Sequence, residues 1–214
     1  MRGEEVLHES LIGLDAKGAP RHSTALLVEI EQAVEVAGGW QAVDSLAVGL
    51  GPGSFTGLRI GVATAQALST GLDLPASGVC TLDAIGRGLD GAAGDRPRLA
   101  VLDARRGEVF AALYSASGKR LWGPLVEPPD SLAARISGLP QPPLAAGSGA
   151  VRFRHELGVE TPDDADPVHR IAARHVCALA ASSGVALPGP LAPIYLRPPD
   201  AERWRERDGS NAAE

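Results

Sequence analysis

The chain has 214 residues, is 44% hydrophobic but only 4% aromatic, and carries a formal net charge of -6. That length can bury a sizeable core as one large domain or two small ones, filled mainly by Ala, Val, Leu and Ile. The acidic balance argues against autonomous nucleic-acid binding, which needs a net basic face to displace counterions, while leaving room for a local basic patch. Cys80 and Cys177 lie in apolar surroundings with no CxxC or Cys/His cluster. They read as buried thiols of a reducing compartment. No apolar run approaches transmembrane length, and the acidic N-terminus does not resemble a signal peptide. A soluble cytoplasmic protein without a membrane partner is expected.

In chain order, residues 3–12 read as one short strand, followed by a turn around Asp15 to Pro20. From Ser23, a plausible N-cap, the pattern turns helical. Leu26, Leu27, Ile30, Ala33, Val34 and Ala37 share one face, and Gly38-Gly39 is the expected stop. Each large aliphatic there is worth roughly 1.5 to 3 kcal/mol if fully buried. Leu46 to Leu50 is a short apolar strand broken by Gly51-Pro52-Gly53, where proline removes a ladder donor. A helix from about Thr56 to Ser69 follows, with Gly57, Gly61, Ala65 and Ser69 spaced four apart, admitting close approach of another backbone. Leu58, Ile60, Val62 and Leu68 supply its larger contacts. A strand near Ala76 to Cys80, a short helix from Thr81, and glycine- and alanine-rich turns at 86–94 close the first half.

The second half opens with strands at 98–103, 108–114 and 119–126, the first two joined by a four-residue loop that suits an antiparallel hairpin. Short helix 129–136, a small-residue loop at 144–150, helix 167–182, a proline-rich linker at 188–193 and an extended piece at 194–196 follow. The residues after Pro198-Pro199 read as a charged tail, mobile at its end. The expected division is 1–90, 95–197 and a tail at 198–214. Strand–helix order twice over predicts a two-subdomain α/β protein.

The glycine-dense stretch Gly49 to Gly57 fails both nucleotide templates. The residues after Gly57 are Leu58 and Arg59 where a P-loop needs lysine and a hydroxyl, and G-x-G-x-x-G ends on Ser54 or Thr56. Ser54 is not in a G-x-S-x-G elbow and reads as a helix cap. The histidines His8, His22, His155, His169 and His175 show no H-E-x-x-H, and His169 and His175 fall on nearly opposite sides of a helix. Asp103, at a strand end beside Arg105 and Arg106, is either a base or metal ligand or the cap of its turn. Arg59 either meets an acidic partner or is a snorkelling surface arginine.

The run Gly51-Pro52-Gly53-Ser54-Phe55-Thr56-Gly57-Leu58-Arg59-Ile60-Gly61 closely resembles the signature of the TsaB (YeaZ) family. His22-Ser23, the segment 102–109 and Pro193-Ile194-Tyr195-Leu196-Arg197 support the likeness, which spans residues 3–200. The resemblance implies an actin- and sugar-kinase-like fold of two related subdomains. It implies a non-catalytic scaffold in the machinery that transfers a threonylcarbamoyl group to adenosine in tRNA. The partners implied are a TsaD-like catalytic subunit in a heterodimer and a TsaE-like ATPase, with tRNA met only through the complex and a homodimer left open for the chain alone. No catalytic residue, metal or cofactor is implied, and the His-x-x-x-His metal motif of TsaD-type proteins does not occur here.

Carried over by position, the partner interface falls on Leu26, Leu27, Ile30 and Val34 of the first helix and Gly57, Leu58, Gly61, Ala65 and Leu68 of the second. A free-standing nucleotide-binding ATPase or small-molecule kinase of the same fold is the alternative, discriminated by a phosphate loop the chain lacks and by an ATP titration. A metallopeptidase would need stoichiometric metal. The resemblance also implies a strand–loop–strand unit ahead of Arg2, hence the expectation of a start downstream of the natural one or a truncated chain. An intact native mass matching Met1 to Glu214 would sink that expectation.

Overall fold

A computed structural model describes residues 1–13, 22–183 and 191–197. The expected turn at 15–20, the first half of the linker at 188–193 and the tail at 198–214 lie outside the described residues. The expected strand over residues 3–12 does not form. Gly3, at φ +59°, turns the chain so that Arg2 and Glu5 bridge each other, with reciprocal backbone bonds of 2.9 and 3.1 Å. The residues up to Gly13 then run without regular structure.

Helix α1 spans His22–Ala37, so Ser23 lies inside its first turn and the helix starts two residues earlier than a cap at Ser23 implies. It stops at two glycines in left-handed backbone, where Gly39 N donates to Val34 O at 2.9 Å. Strand β1 (Leu46–Gly51) leads into α2 (Phe55–Leu72), and β2 (Ala76–Cys80) pairs with β1 in parallel. Ser54 caps α2 as expected, its Oγ accepting from Gly57 N at 3.4 Å. The helix runs a turn past Ser69 because Asp73, at φ 54°, takes the left-handed closing position and its N–H reaches Ser69 O.

Helix α3 (Thr81–Gly88) crosses to a second sheet. That sheet comprises β3 (Arg98–Arg105), β4 (Glu108–Tyr114), β5 (Arg120–Glu127) and β6 (Leu144–Ala146) in the order β5-β4-β3-β6. The expected β3–β4 hairpin is present, and β3 pairs with β6 in parallel. Its turn is tighter than expected: Arg105 and Arg106 adopt positive φ of 63° and 57° ahead of Gly107, so that Arg105 still pairs with Glu108.

Both faces of this sheet are covered, which is why β3 and β4 read as nearly continuous apolar runs. Ala100, Leu102, Phe110, Ala112 and Tyr114 pack against Leu82, Ile85 and Leu89. Leu99, Val101, Val109, Ala111 and Leu113 face Leu132 and Ile136 of α4 (Pro129–Ser137). On the same side lie Ala150 of α5 (Ser148–Arg152), Phe153 and Leu157 of α6 (Arg154–Leu157). Leu89 and Ala93 are core residues, so the glycine- and alanine-rich stretch at 86–94 is packed into the same core as the second sheet.

The expected helix over 167–182 is two pieces. Asp166 caps a single turn at Pro167–His169, the chain extends through Arg170, and α7 covers only Ala173–Ser182. The buried His169 ring accounts for the break. Its Nδ1 accepts from Gly147 N at 3.2 Å while Nε2 lies 3.0 Å from Asp163 O, bonds that a continuous helix would have to give up. Cys80 is buried, and burial pushes its thiol pKa up; Cys177 is only half-buried, short of the expected burial. No described helix is long and apolar enough to cross a membrane.

Candidate functional site

Two features stand out: the outward surface of α1 and α2, and a cleft where α2 begins. On α1, Ala25 is buried and Leu26, Ile30 and Val34 are half-buried. Leu27, Val28 and Val36 are 56%, 49% and 57% exposed. A helix that is apolar around most of its circumference ordinarily has neighbours on more than one side. On α2 only Val62 is buried, while Gly57, Leu58, Gly61, Ala65 and Leu68 are half-buried. Part of that stripe serves β1: a Cβ on Gly61 would touch Val48, and Leu58 closes over Gly51.

The cleft has a volume of about 610 Å³ and lies between the Pro52–Thr56 turn, the β3–β4 turn and the segment 194–197. Gly51 sits at φ +105°, and a Cβ there would come 2.9 Å from Leu58 Cδ1 and 3.0 Å from Ile194 O. Only glycine meets both the conformation and the space. Pro52 is fully buried and its carbonyl accepts from Thr81 Oγ1 at 2.5 Å, while Gly53, Ser54, Phe55 and Thr56 are exposed. Although 194–196 forms no strand, Ile194 N donates to Leu50 O at 2.7 Å, anchoring this segment to the end of β1.

One wall is aromatic. The Phe55 and Tyr195 rings lie 5.3 Å apart at 36°, and the Arg59 guanidinium sits 5.3 Å from the Phe55 centroid. The snorkelling account of Arg59 thus gains a specific partner, a ring face that attracts its charge. The opposite wall is the β3–β4 turn, with Arg105, whose side chain is 82% exposed, and Arg106.

Asp103 settles between its two readings in favour of the turn. Its Oδ1 accepts from Arg105 N at 2.8 Å and its Oδ2 from Arg152 Nη1 at 2.8 Å. With both oxygens engaged, it is poorly disposed to act as a base. Arg197 likewise donates to Glu108 Oε2 at 2.5 Å and to Ala104 O at 2.9 Å. Among the described residues no three His, Cys, Asp or Glu side chains come close enough together to hold a metal ion.

Reasoning from sequence missed Tyr195 as the companion of Phe55 and Arg152 as the partner of Asp103. Both contacts join distant parts of the chain. A lone tyrosine or arginine in sequence carries no signal for its partner. Asp103 and its turn arginines, by contrast, were legible from their adjacency.

The fold and site define an α/β protein built on two sheets, with an aromatic and arginine-lined cleft and a helix pair rich in small and exposed aliphatic groups. A family model described as "TsaD: tRNA N6-adenosine threonylcarbamoyltransferase" matches residues 16–159. The chain is 40% identical over 161 residues to an uncharacterized protein of Mycobacterium tuberculosis, covering 75% of this chain and 67% of that one. It is 40% identical over 105 residues to the tRNA threonylcarbamoyladenosine biosynthesis protein TsaB of Escherichia coli, covering 48% of this chain and 46% of that one. Among solved structures, YeaZ from Pseudomonas aeruginosa superposes with a TM-score of 0.67 at 26% identity, covering 82% of this chain and 85% of that one. The chain belongs to the TsaB (YeaZ) family.

Proposed function

We propose that this protein serves tRNA threonylcarbamoyladenosine biosynthesis as a non-catalytic scaffold subunit that pairs with a TsaD-like catalytic subunit. The observation that carries the pairing is α1, whose Leu27, Val28 and Val36 stand about half exposed. Solvating such a face forgoes roughly 25 cal/mol per Å² that a partner would recover. Small groups along α2 suit the close approach of partner helices, with Leu26, Leu27, Ile30 and Val34 of α1 and Gly57, Leu58, Gly61, Ala65 and Leu68 of α2 as the contact set. A TsaE-like ATPase joins the pair, and tRNA is met within the assembly. We read the fold as actin- and sugar-kinase-like, with subdomains over 1–90 and 95–197.

A stand-alone ATPase or kinase has less support, because Asp103 is spent on Arg152 and Arg105. Co-purification of the full chain with a TsaD-like protein tests the proposal. Retention that Leu27→Glu abolishes is the expected result, and no retention of the unaltered chain would overturn it. Reconstituting the modification with and without this subunit separates scaffold from bystander.

A further inference from the structure

The cleft is not needed for helix pairing, yet its chemistry is specific. Phe55 and Tyr195, 38% and 44% exposed, form a tilted pair at its edge, with Arg59 extending the flat surface over one ring. Exposed aromatics cost solvation, and two held together beside a cavity of about 610 Å³ make a ready stacking surface. Across from them, Arg152 and Arg197 neutralise Asp103 and Glu108. The largely solvated Arg105 keeps only a 3.9 Å approach to the already paired Asp103 Oδ2, so Arg105 and, beside the Phe55 ring, Arg59 supply net positive charge at the cleft of an otherwise acidic protein.

Flat π-surfaces plus guanidinium groups at cavity scale match a nucleobase with its flanking phosphates. The apolar alternative, a lipid or aliphatic side chain, leaves the arginine wall without purpose.

We propose that this cleft holds an unstacked nucleotide of a tRNA strand, its base against Phe55 and Tyr195 and its phosphate near Arg105. The inference rests on the reading that the protein serves tRNA modification, and it adds a direct RNA contact that a pure scaffold would not make. The net charge of -6 means that affinity is local and modest, supplementing whatever a partner contributes.

The test titrates an unmodified tRNA transcript into the full chain, alone and joined to its TsaD-like partner, over a series of salt concentrations. Phe55→Ala and Tyr195→Ala should each weaken binding about tenfold. Arg105→Gln should lower the slope of log affinity against log salt by about one. Unchanged affinity in all three variants, or no tRNA binding by either species, would overturn the inference. So would AMP competing fully at the concentration that saturates the site, since a free mononucleotide would then be the ligand. Co-purification with the partner is measured on the same variants. Its persistence while RNA binding is unmoved counts against the cleft alone, and its loss from the unaltered chain counts against the scaffold reading.

Discussion

Arg152 on α5 reaches the carboxylate of Asp103 at the end of β3, donating from Nη1 to Oδ2 at 2.8 Å. The same carboxylate holds the backbone of Arg105 in the left-handed turn that forms one wall of the cleft. One acidic side chain therefore joins a helix, a strand end and a turn.

Removing either end of that pair should loosen the turn, and unequally. Asp103 is nearly buried and makes both bonds, whereas Arg152 is more than half exposed. Arg152→Met should cost about 0.5 to 1 kcal/mol, since a largely exposed partner contributes little. Asp103→Ala should cost about 2 kcal/mol, because the turn N–H of Arg105 loses its acceptor along with the Arg152 pair. Urea denaturation of both variants checks the ranking, and equal losses would contradict it.

Gly51 and Gly53 flank the same proline but should respond oppositely to alanine. At Gly51 the added Cβ meets Leu58 and the Ile194 carbonyl in a backbone at φ +105°, so Gly51→Ala should lose about 2 to 4 kcal/mol. Gly53 has open space around it and is exposed, so Gly53→Ala should stay within about 0.5 kcal/mol. Thermal melts of the two variants decide the matter.

Charge on α1 should separate binding from folding. Leu27→Glu places a carboxylate where the side chain is already 56% exposed, so stability should shift by no more than about 0.5 kcal/mol. Partner retention should fall by a factor of about 10 or more, as expected for burying an unpaired charge. Size-exclusion chromatography of the mixture provides the readout. A folded variant that binds unaltered would remove α1 from the interface, and one that unfolds would contradict the expected tolerance of Leu27.

Acid should weaken the packing of α7 on α3 through His175. Burial, with the Arg174 and Arg87 guanidiniums beside it, holds its pKa below the ordinary 6.5, against an opposing pull from Glu9 and Asp90. The unfolded chain therefore binds the proton more readily than the folded one. This contribution to stability is fully present above about pH 6.5 and is lost as pH falls through the lower folded value. Replacing the imidazole in His175→Gln should flatten the pH dependence of denaturation midpoints over that window. An unchanged slope would show the group to be uninvolved.

The local rules of the chain were readable in its residues. Apolar runs marked β3 and β4, Ser54 announced the start of α2, and the Gly51–Gly61 signature marked the family, because each signal acts over a few neighbouring positions. Helix α7 was overestimated because periodicity continues through Arg170. The bonds from His169 to Gly147 and to the 162–163 loop, which break the helix, depend on segments brought together only by folding.

The glycine-dense elbow itself was legible as a place where backbone must bend and be approached closely. What approaches it was not: Ile194, which anchors to Leu50, and Tyr195, which leans on Phe55, come from the far end of the chain. Sequence alone determined the strands β1 to β5, the Ser54 cap of α2 and the kinship, through short-range sterics and hydrogen bonding. The tertiary structure alone decided that Asp103 is spent on Arg152, and that an aromatic pair faces an arginine turn across one cleft. Charge pairing and ring stacking are set by distances in space, and residues separated along the chain acquire those distances only when the sheets pack.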